Sequence, residues 1–159
     1  MPSVLFICAA NICRSPMAQG LLTAKTMETG EAWMIDSAGI YVKPGFPPAP
    51  YTLEILRERE IDLSAHRSRM VNAELVAQFD LILTMERGQK EALRAAFPQH
   101  KHKIYLLSEM VGQNQDIIDP IGQPFFDYQQ TAQEIDGIIR FGFDRIRSLA
   151  SISDDEQRG

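Results

Sequence analysis

Cysteine, histidine and tryptophan are scarce in this chain: two, three and one among 159 residues. Two cysteines cannot make a disulfide framework, so the expected setting is reducing and cytoplasmic. No stretch approaches the roughly 18 consecutive apolar residues of a membrane span. No basic segment followed by a long apolar run opens the sequence, so no secretory signal is expected. No block of Lys and Arg occurs, and 16 basic residues against 21 acidic ones leave a net charge of −5. That balance argues against nucleic acid as a main partner. Internal repeats and low-complexity tracts are also missing. What is present, 45% hydrophobic and 23% charged residues, is the composition of a soluble globular protein. The length allows one domain, expected over residues 1–150, with a disordered polar tail over 151–159.

Apolar runs of β type alternate with helical patterns. Residues 3–7, 33–36, 79–84 and 103–107 read as strands. Residues 15–28, 50–60, 87–96 and 126–148 read as helices, the first with Ser15 as cap and Pro16 at the opening helical position. In the last, Phe126, Ile135, Ile138, Ile139 and Phe143 form an inner stripe. Ser37-Ala38-Gly39 reads as a turn after the second strand. This alternation predicts an α/β fold with a parallel sheet covered by helices on both faces. Ligands of such sheets bind beyond the carboxyl ends of the strands.

Cys8-Ala9-Ala10-Asn11-Ile12-Cys13-Arg14-Ser15 stands at that end of the first strand. A β-rich run, a short loop opening with Cys, and Arg-Ser-Pro at a helix start describe an anion cradle with a nucleophile at its base. Backbone N–H groups turned inward and the helix N-terminus behind them hold a phosphate and favour a thiolate over a thiol. Arg14 can close on the phosphate with two parallel hydrogen bonds, which Lys cannot. The pattern implies covalent phosphoryl chemistry. A leaving oxygen then needs a proton, and Asp119-Pro120 is the best candidate source. Pro120 stiffens the loop and keeps Asp119 extended. Beside a bound dianion its carboxyl would hold a proton, act as general acid, and later take a proton from water.

With these residues in view, the chain resembles the low-molecular-weight protein tyrosine phosphatases over residues 1 to 148. The likeness rests on Cys8, Asn11, Cys13, Arg14, Ser15 and Pro16, on Ser37-Ala38-Gly39, and on Asp119-Pro120. It implies a four-stranded parallel sheet, a cysteinyl-phosphate intermediate, no metal and no cofactor. It casts Cys8 as nucleophile, Arg14 as clamp and Asp119 as acid then base. Residues 9 to 15 (Ala9, Ala10, Asn11, Ile12, Cys13, Arg14, Ser15) would bind phosphate. Ser15 would donate to the Cys8 sulfur, and Asn11 and Ser37 would shape the loop. The implied partners are phosphorylated proteins and inorganic phosphate, with no nucleic acid or membrane, and the chain is expected as a monomer or weak homodimer.

Some positions depart from the family pattern. Ala10 replaces a Gly; were that site to need positive φ, alanine would carry strain of ~1 kcal/mol. Ile121-Gly122 follow Asp119-Pro120 where aromatic residues often stand, and Tyr41 and Val42 occupy the region of a common Trp, so aromatic walls for a phenol ring are missing. The protein-arginine phosphatase branch shares Ala65-His66-Arg67-Ser68 and the residue-then-Gly after Asp-Pro, yet carries Thr where this chain has Ile12, which favours an aromatic phosphoester. The arsenate reductase branch uses further cysteines, and none follows Cys13. Cys13 itself reads either as a redox partner that traps oxidised Cys8 or as a small core residue, the first being favoured. His66 reads as a turn stabiliser, and His100 and His102 as surface.

Overall fold

Every residue of Ser3–Cys8 is buried, which only an interior strand with helices on both sides permits. This strand, β1, alternates its side chains between two cores. Val4, Phe6 and Cys8 face one; Leu5 and Ile7 face the other. In the computed structural model, which describes residues 1–152, β1 is joined by β2 (Met34–Gly39), β3 (Leu81–Thr84) and β4 (Ile104–Leu106). All pairings are parallel, in the order β2-β1-β3-β4, with Cys8 opposite Gly39 and Ile7 opposite Thr84. The chain leaves β1 toward β2 on one side and returns to β3 on the other. The ends of β1 and β3 therefore form the crevice where strand order reverses.

Helices α1 (Arg14–Thr29), α2 (Pro50–Glu58), α5 (Phe125–Phe141) and α6 (Phe143–Ala150) contribute to the core beneath Val4 and Phe6. The helices α3 (Ala73–Gln78) and α4 (Arg87–Ala96) cover the opposite face. Two 3₁₀ turns, Pro98–Lys103 and Leu107–Val111, flank β4. Among the described residues no helix is long and apolar enough to cross a membrane.

Several expectations need correction. Ser15 is not the cap of α1: the cap is Cys13, without a side-chain hydrogen bond, because the Ser15 hydroxyl is engaged with Cys8 and Asn11. Pro16 accordingly lies third in the helix, where its missing N–H still costs nothing. Ser37-Ala38-Gly39 is strand rather than turn, since residues 69–71 lie alongside and hydrogen-bond Gly39 at both its N–H and its C=O. The short α3, capped by the Asn72 side chain, was not foreseen. The last helix is broken at Gly142. A Cβ there would stand 2.8 Å from the carbonyl oxygens of both Ile138 and Met110, so the neighbouring 3₁₀ turn packs against bare backbone. Phe126, placed on the inner stripe, is 64% exposed, whereas Ile135, Ile138, Ile139 and Phe143 are buried. Of the expected tail, residues 153–159 lie outside the described residues.

Candidate active site

The loop after β1 is shaped by one residue. Asn11 has φ 58, a left-handed conformation that Asn tolerates better than most residues. Its side chain is buried and fully used. One amide hydrogen goes to Ser15 Oγ at 2.9 Å and the other to Ser37 Oγ at 3.0 Å, while Oδ1 accepts from the Arg69 N–H at 3.0 Å. Ser37 passes its own proton to Gln19 Oε1 at 2.6 Å. Because Ser15 Oγ already accepts from Asn11, its hydroxyl proton is free for the Cys8 sulfur, 2.9 Å away. The strain expected at Ala10 does not arise, since the positive φ falls on Asn11 instead.

The loop is tied to its surroundings at most of its carbonyls. Ile40 N–H donates to Cys8 O, Tyr41 N–H to Ala9 O and Ala49 N–H to Ile12 O. His66 Nε2 lies 2.9 Å from Asn11 O, so that nitrogen carries the proton. With the carbonyls held outward, the N–H groups of residues 9 to 13 donate to no protein acceptor among the described residues. The first N–H groups of α1 likewise have no acceptor inside their helix. Together they surround the buried Cys8 sulfur with donors suited to an oxyanion.

Arg14 is 2% exposed and held from two sides. It donates to Ile117 O at 2.6 Å and to Glu86 Oε2 at 2.8 Å, and its Nη2 lies 3.5 Å from Asp119 Oδ2. Two of its five N–H donors are thus engaged at protein oxygens in hydrogen bonds, leaving others for a ligand. Glu86 is oriented by Gln89 Nε2 at 2.8 Å. The segment bearing Asp119 is anchored by Ile117 N–H on Met85 O and by Arg87 N–H on Asp116, and Asp119 Oδ1 accepts from Ile121 N–H. Cys8, Arg14 and Asp119, 111 positions apart in sequence at the extremes, therefore meet at one crevice.

Neither Glu86 nor the role of His66 was legible beforehand. Glu86 sits in an ordinary polar helix start, and only the fold brings it to Arg14. Gly39 reads in the sequence merely as part of a turn, yet a Cβ on it would stand 2.6 Å from Ala9 O and 3.1 Å from Asn11 Cβ, so the loop packs on its bare backbone. Cys13 is buried beside the site, and both cysteines are free thiols. Burial, reinforced by the charges of Asp119 and Cys8 and opposed by a hydrogen bond with Thr52, pushes the Cys13 thiol up to about 12. Burial and the neighbouring Cys13 and Asp119 also push the Tyr128 hydroxyl up to about 12. Among the described residues no three His, Cys, Asp or Glu side chains are placed to hold a metal ion.

The expectation that aromatic walls are missing is also corrected. Tyr41 and Phe46, from the loop after β2, line a cleft of about 240 Å³ together with Ala10, Ile12 and Lys43. A second cleft, of about 480 Å³, lies between Pro50, Tyr51, Gly122, Gln123 and Tyr128. The rings come from residues 41, 46, 51 and 128, not from the two positions directly after Asp119-Pro120.

Fold and site define a class, an α/β phosphatase with its oxyanion cradle between the first strand and the first helix. Comparison with known proteins narrows this further: the model of the low molecular weight phosphotyrosine protein phosphatase family matches residues 3–148, and the chain belongs to that family. Among its relatives, a protein-arginine-phosphatase of Bacillus subtilis (strain 168) is 33% identical over 138 residues, covering 86% of this chain and 91% of the relative. A probable low molecular weight protein-tyrosine-phosphatase, EpsP of Ralstonia nicotianae, is 33% identical over 147 residues, covering 92% and 97%. The solved low molecular weight protein tyrosine phosphatase from T. tengcongensis superposes with a TM-score of 0.87 at 37% identity, covering 91% of this chain and 99% of that one.

Proposed function

We propose that the protein hydrolyses phosphotyrosine in protein substrates by two in-line displacements at Cys8. The observation that carries this reading is the convergence of the Cys8 sulfur, the unpaired amides of residues 9 to 13, and the Arg14–Asp119 contact at one crevice. In the first step the sulfur bonds to phosphorus and the phosphorus–phenol oxygen bond breaks. Asp119 gives its proton to the departing oxygen, while Arg14 and the loop amides stabilise the transferring phosphoryl group. In the second step Asp119 takes a proton from water, the water oxygen bonds to phosphorus, and the sulfur–phosphorus bond breaks. Asn11, Ser37 and Pro120 hold the geometry, and Ser15 supports the sulfur with its hydroxyl.

The choice of phosphotyrosine rests on the apolar cleft of Ile12, Tyr41 and Phe46 beside the cradle, which suits an aromatic ring. The competing substrate is phosphoarginine, because protein-arginine-phosphatases of Bacillus subtilis and Geobacillus stearothermophilus are among the relatives and Ala65-His66-Arg67-Ser68 resembles that branch. The reading includes a single catalytic unit over residues 1–150, a monomer or weak homodimer in the cytoplasm without membrane partners; the net charge of −5 supports only the absence of a nucleic-acid partner. The test is a panel of phosphotyrosine, phosphoarginine and phosphoserine peptides with wild type and Cys8→Ser. Wild type is expected to prefer phosphotyrosine, and Cys8→Ser to lose turnover while still binding phosphate. Normal turnover by Cys8→Ser would overturn the mechanism, and preference for phosphoarginine the substrate.

A further inference from the structure

The cleft beside the cradle is not purely apolar. Lys43 shares its lining with Ala10 and Ile12, which belong to the phosphate loop itself, and with the rings of Tyr41 and Phe46. Its ammonium group has no ionic partner among the described residues. The nearby cations are already engaged. Arg69 pairs with Asp36 at 2.5 Å, and Arg67 donates to the carbonyls of Ser64 and His66.

The backbone that carries Lys43 is fixed rather than loose. Ser68 is buried and clamps it from below: its hydroxyl donates to Lys43 O at 2.6 Å and accepts from the Phe46 N–H at 2.9 Å. Its own N–H donates to Phe46 O, and its C=O accepts from the Gly45 N–H. Tyr41 N–H is held by Ala9 O, which ties the start of the segment to the phosphate loop. The backbone at Lys43 is thereby held in place, and its exposed side chain extends from a fixed point beside the rim of the cradle.

On the β3 side of the cradle, away from β2, carboxylates gather around two arginines. Glu86 and Asp119 both approach Arg14 there, and Asp116 stands close by in the same segment, paired with Arg87. A peptide lying across the crevice meets carboxylates on one side and an ammonium with aromatic rings on the other. We propose that Lys43 is a specificity-determining residue that selects substrates carrying a Glu or Asp within two positions of the phosphorylated residue, and that it orients the peptide so this side lies over the Tyr41–Phe46 cleft. Two positions along an extended chain advance only about 7 Å, within the span of a Lys and a Glu side chain reaching toward each other. The inference rests on the phosphopeptide reading given above.

An exposed pair of this kind changes selection modestly, by about two- to fivefold, and is weakened by salt. The experiment uses matched phosphopeptides in which Glu, Gln or Lys is scanned through the two positions on each side of the phosphorylated residue, in phosphotyrosine and phosphoarginine series. At low ionic strength wild type is expected to favour a Glu peptide over its Gln twin in kcat/KM. The ratio should fall toward one near 1 M salt and in Lys43→Met, and should invert in Lys43→Glu. Binding of the same peptides to Cys8→Ser reads the preference without turnover, so loss of catalysis and loss of selection are separate results. Equal Glu and Gln values for wild type at every position, or a Glu preference that survives in Lys43→Met, would overturn the proposal while leaving the phosphatase reading intact. Failure of wild type to turn over any phosphorylated substrate would overturn that reading instead.

Discussion

Asn11 concentrates more of the site than any other side chain. It supplies the left-handed turn, both hydrogen bonds that orient Ser15 and Ser37, and the carbonyl that His66 grips. Its two amide hydrogens are the reason the Ser15 proton is left for the sulfur. Asp119 has a different kind of role, because its effect depends on the substrate. A poor leaving group needs the proton that Asp119 supplies, whereas an activated phenol departs as an anion unaided. Asp119→Ala is therefore expected to lower kcat/KM by roughly 100-fold or more for an alkyl-substituted phenyl phosphate and far less for a nitro-substituted one. The slope of rate against leaving-group acidity should steepen in the variant. An equal loss for all leaving groups would remove Asp119 from the proton-transfer role.

Elements place these residues, and the junction of β2 with residues 66–71 is the decisive one. Gly39 receives a hydrogen bond from Val71 and gives one to Arg69, while the Ala9 carbonyl passes across its bare Cα. With alanine there, the new methyl carbon would meet Ala9 O at 2.6 Å and Val42 Cγ2 at 2.5 Å. Val42 can turn aside, but the Ala9 backbone cannot move without shifting the amides of the cradle. Gly39→Ala should cost about 1–3 kcal/mol of stability, as overpacking does. It should also lower kcat/KM by about 100-fold, the penalty of misplacing reacting groups by roughly an ångström. Urea unfolding and steady-state kinetics read the two effects separately, and wild-type kinetics in the variant would show that the close approach does not govern the loop.

At the scale of the whole molecule, acidification acts through groups that the fold shields or pairs. Burial holds the His66 imidazole below its ordinary value of 6.5; Arg69 and Arg67 assist, while Asn11 O and Asp36 oppose. Glu109 is opposed by burial yet lies below its ordinary 4.5 because of Lys90 and the Leu106 N–H. Both groups bind fewer protons folded than unfolded as the pH drops past those values, so stability falls in the same direction. Glu134, raised by burial, works oppositely around the carboxylate range. His100, lowered by partial burial beside Lys103 and His102, adds to the His66 effect. The urea midpoint should therefore drop between about pH 7.5 and about pH 5.5, before carboxylates contribute much. His66→Gln should shrink that drop, and an unchanged drop would assign the pH dependence elsewhere.

The chain order of residues determined the phosphate loop on its own, because the Cys-to-Arg spacing, the preceding apolar run and the following helix start are all local. Alternation of strand and helix patterns likewise determined a parallel sheet, since each interior strand must be apolar on both faces. The tertiary structure alone decided the partners of that loop. Glu86 against Arg14, His66 against Asn11 and Lys43 beside Ile12 join positions 31 or more residues apart, on separate segments whose approach no periodicity encodes. The break at Gly142 and the strand character of residues 37–39 were hidden for the same reason. Each depends on what packs alongside, and a linear pattern records only which side chains are apolar, not which backbone comes near.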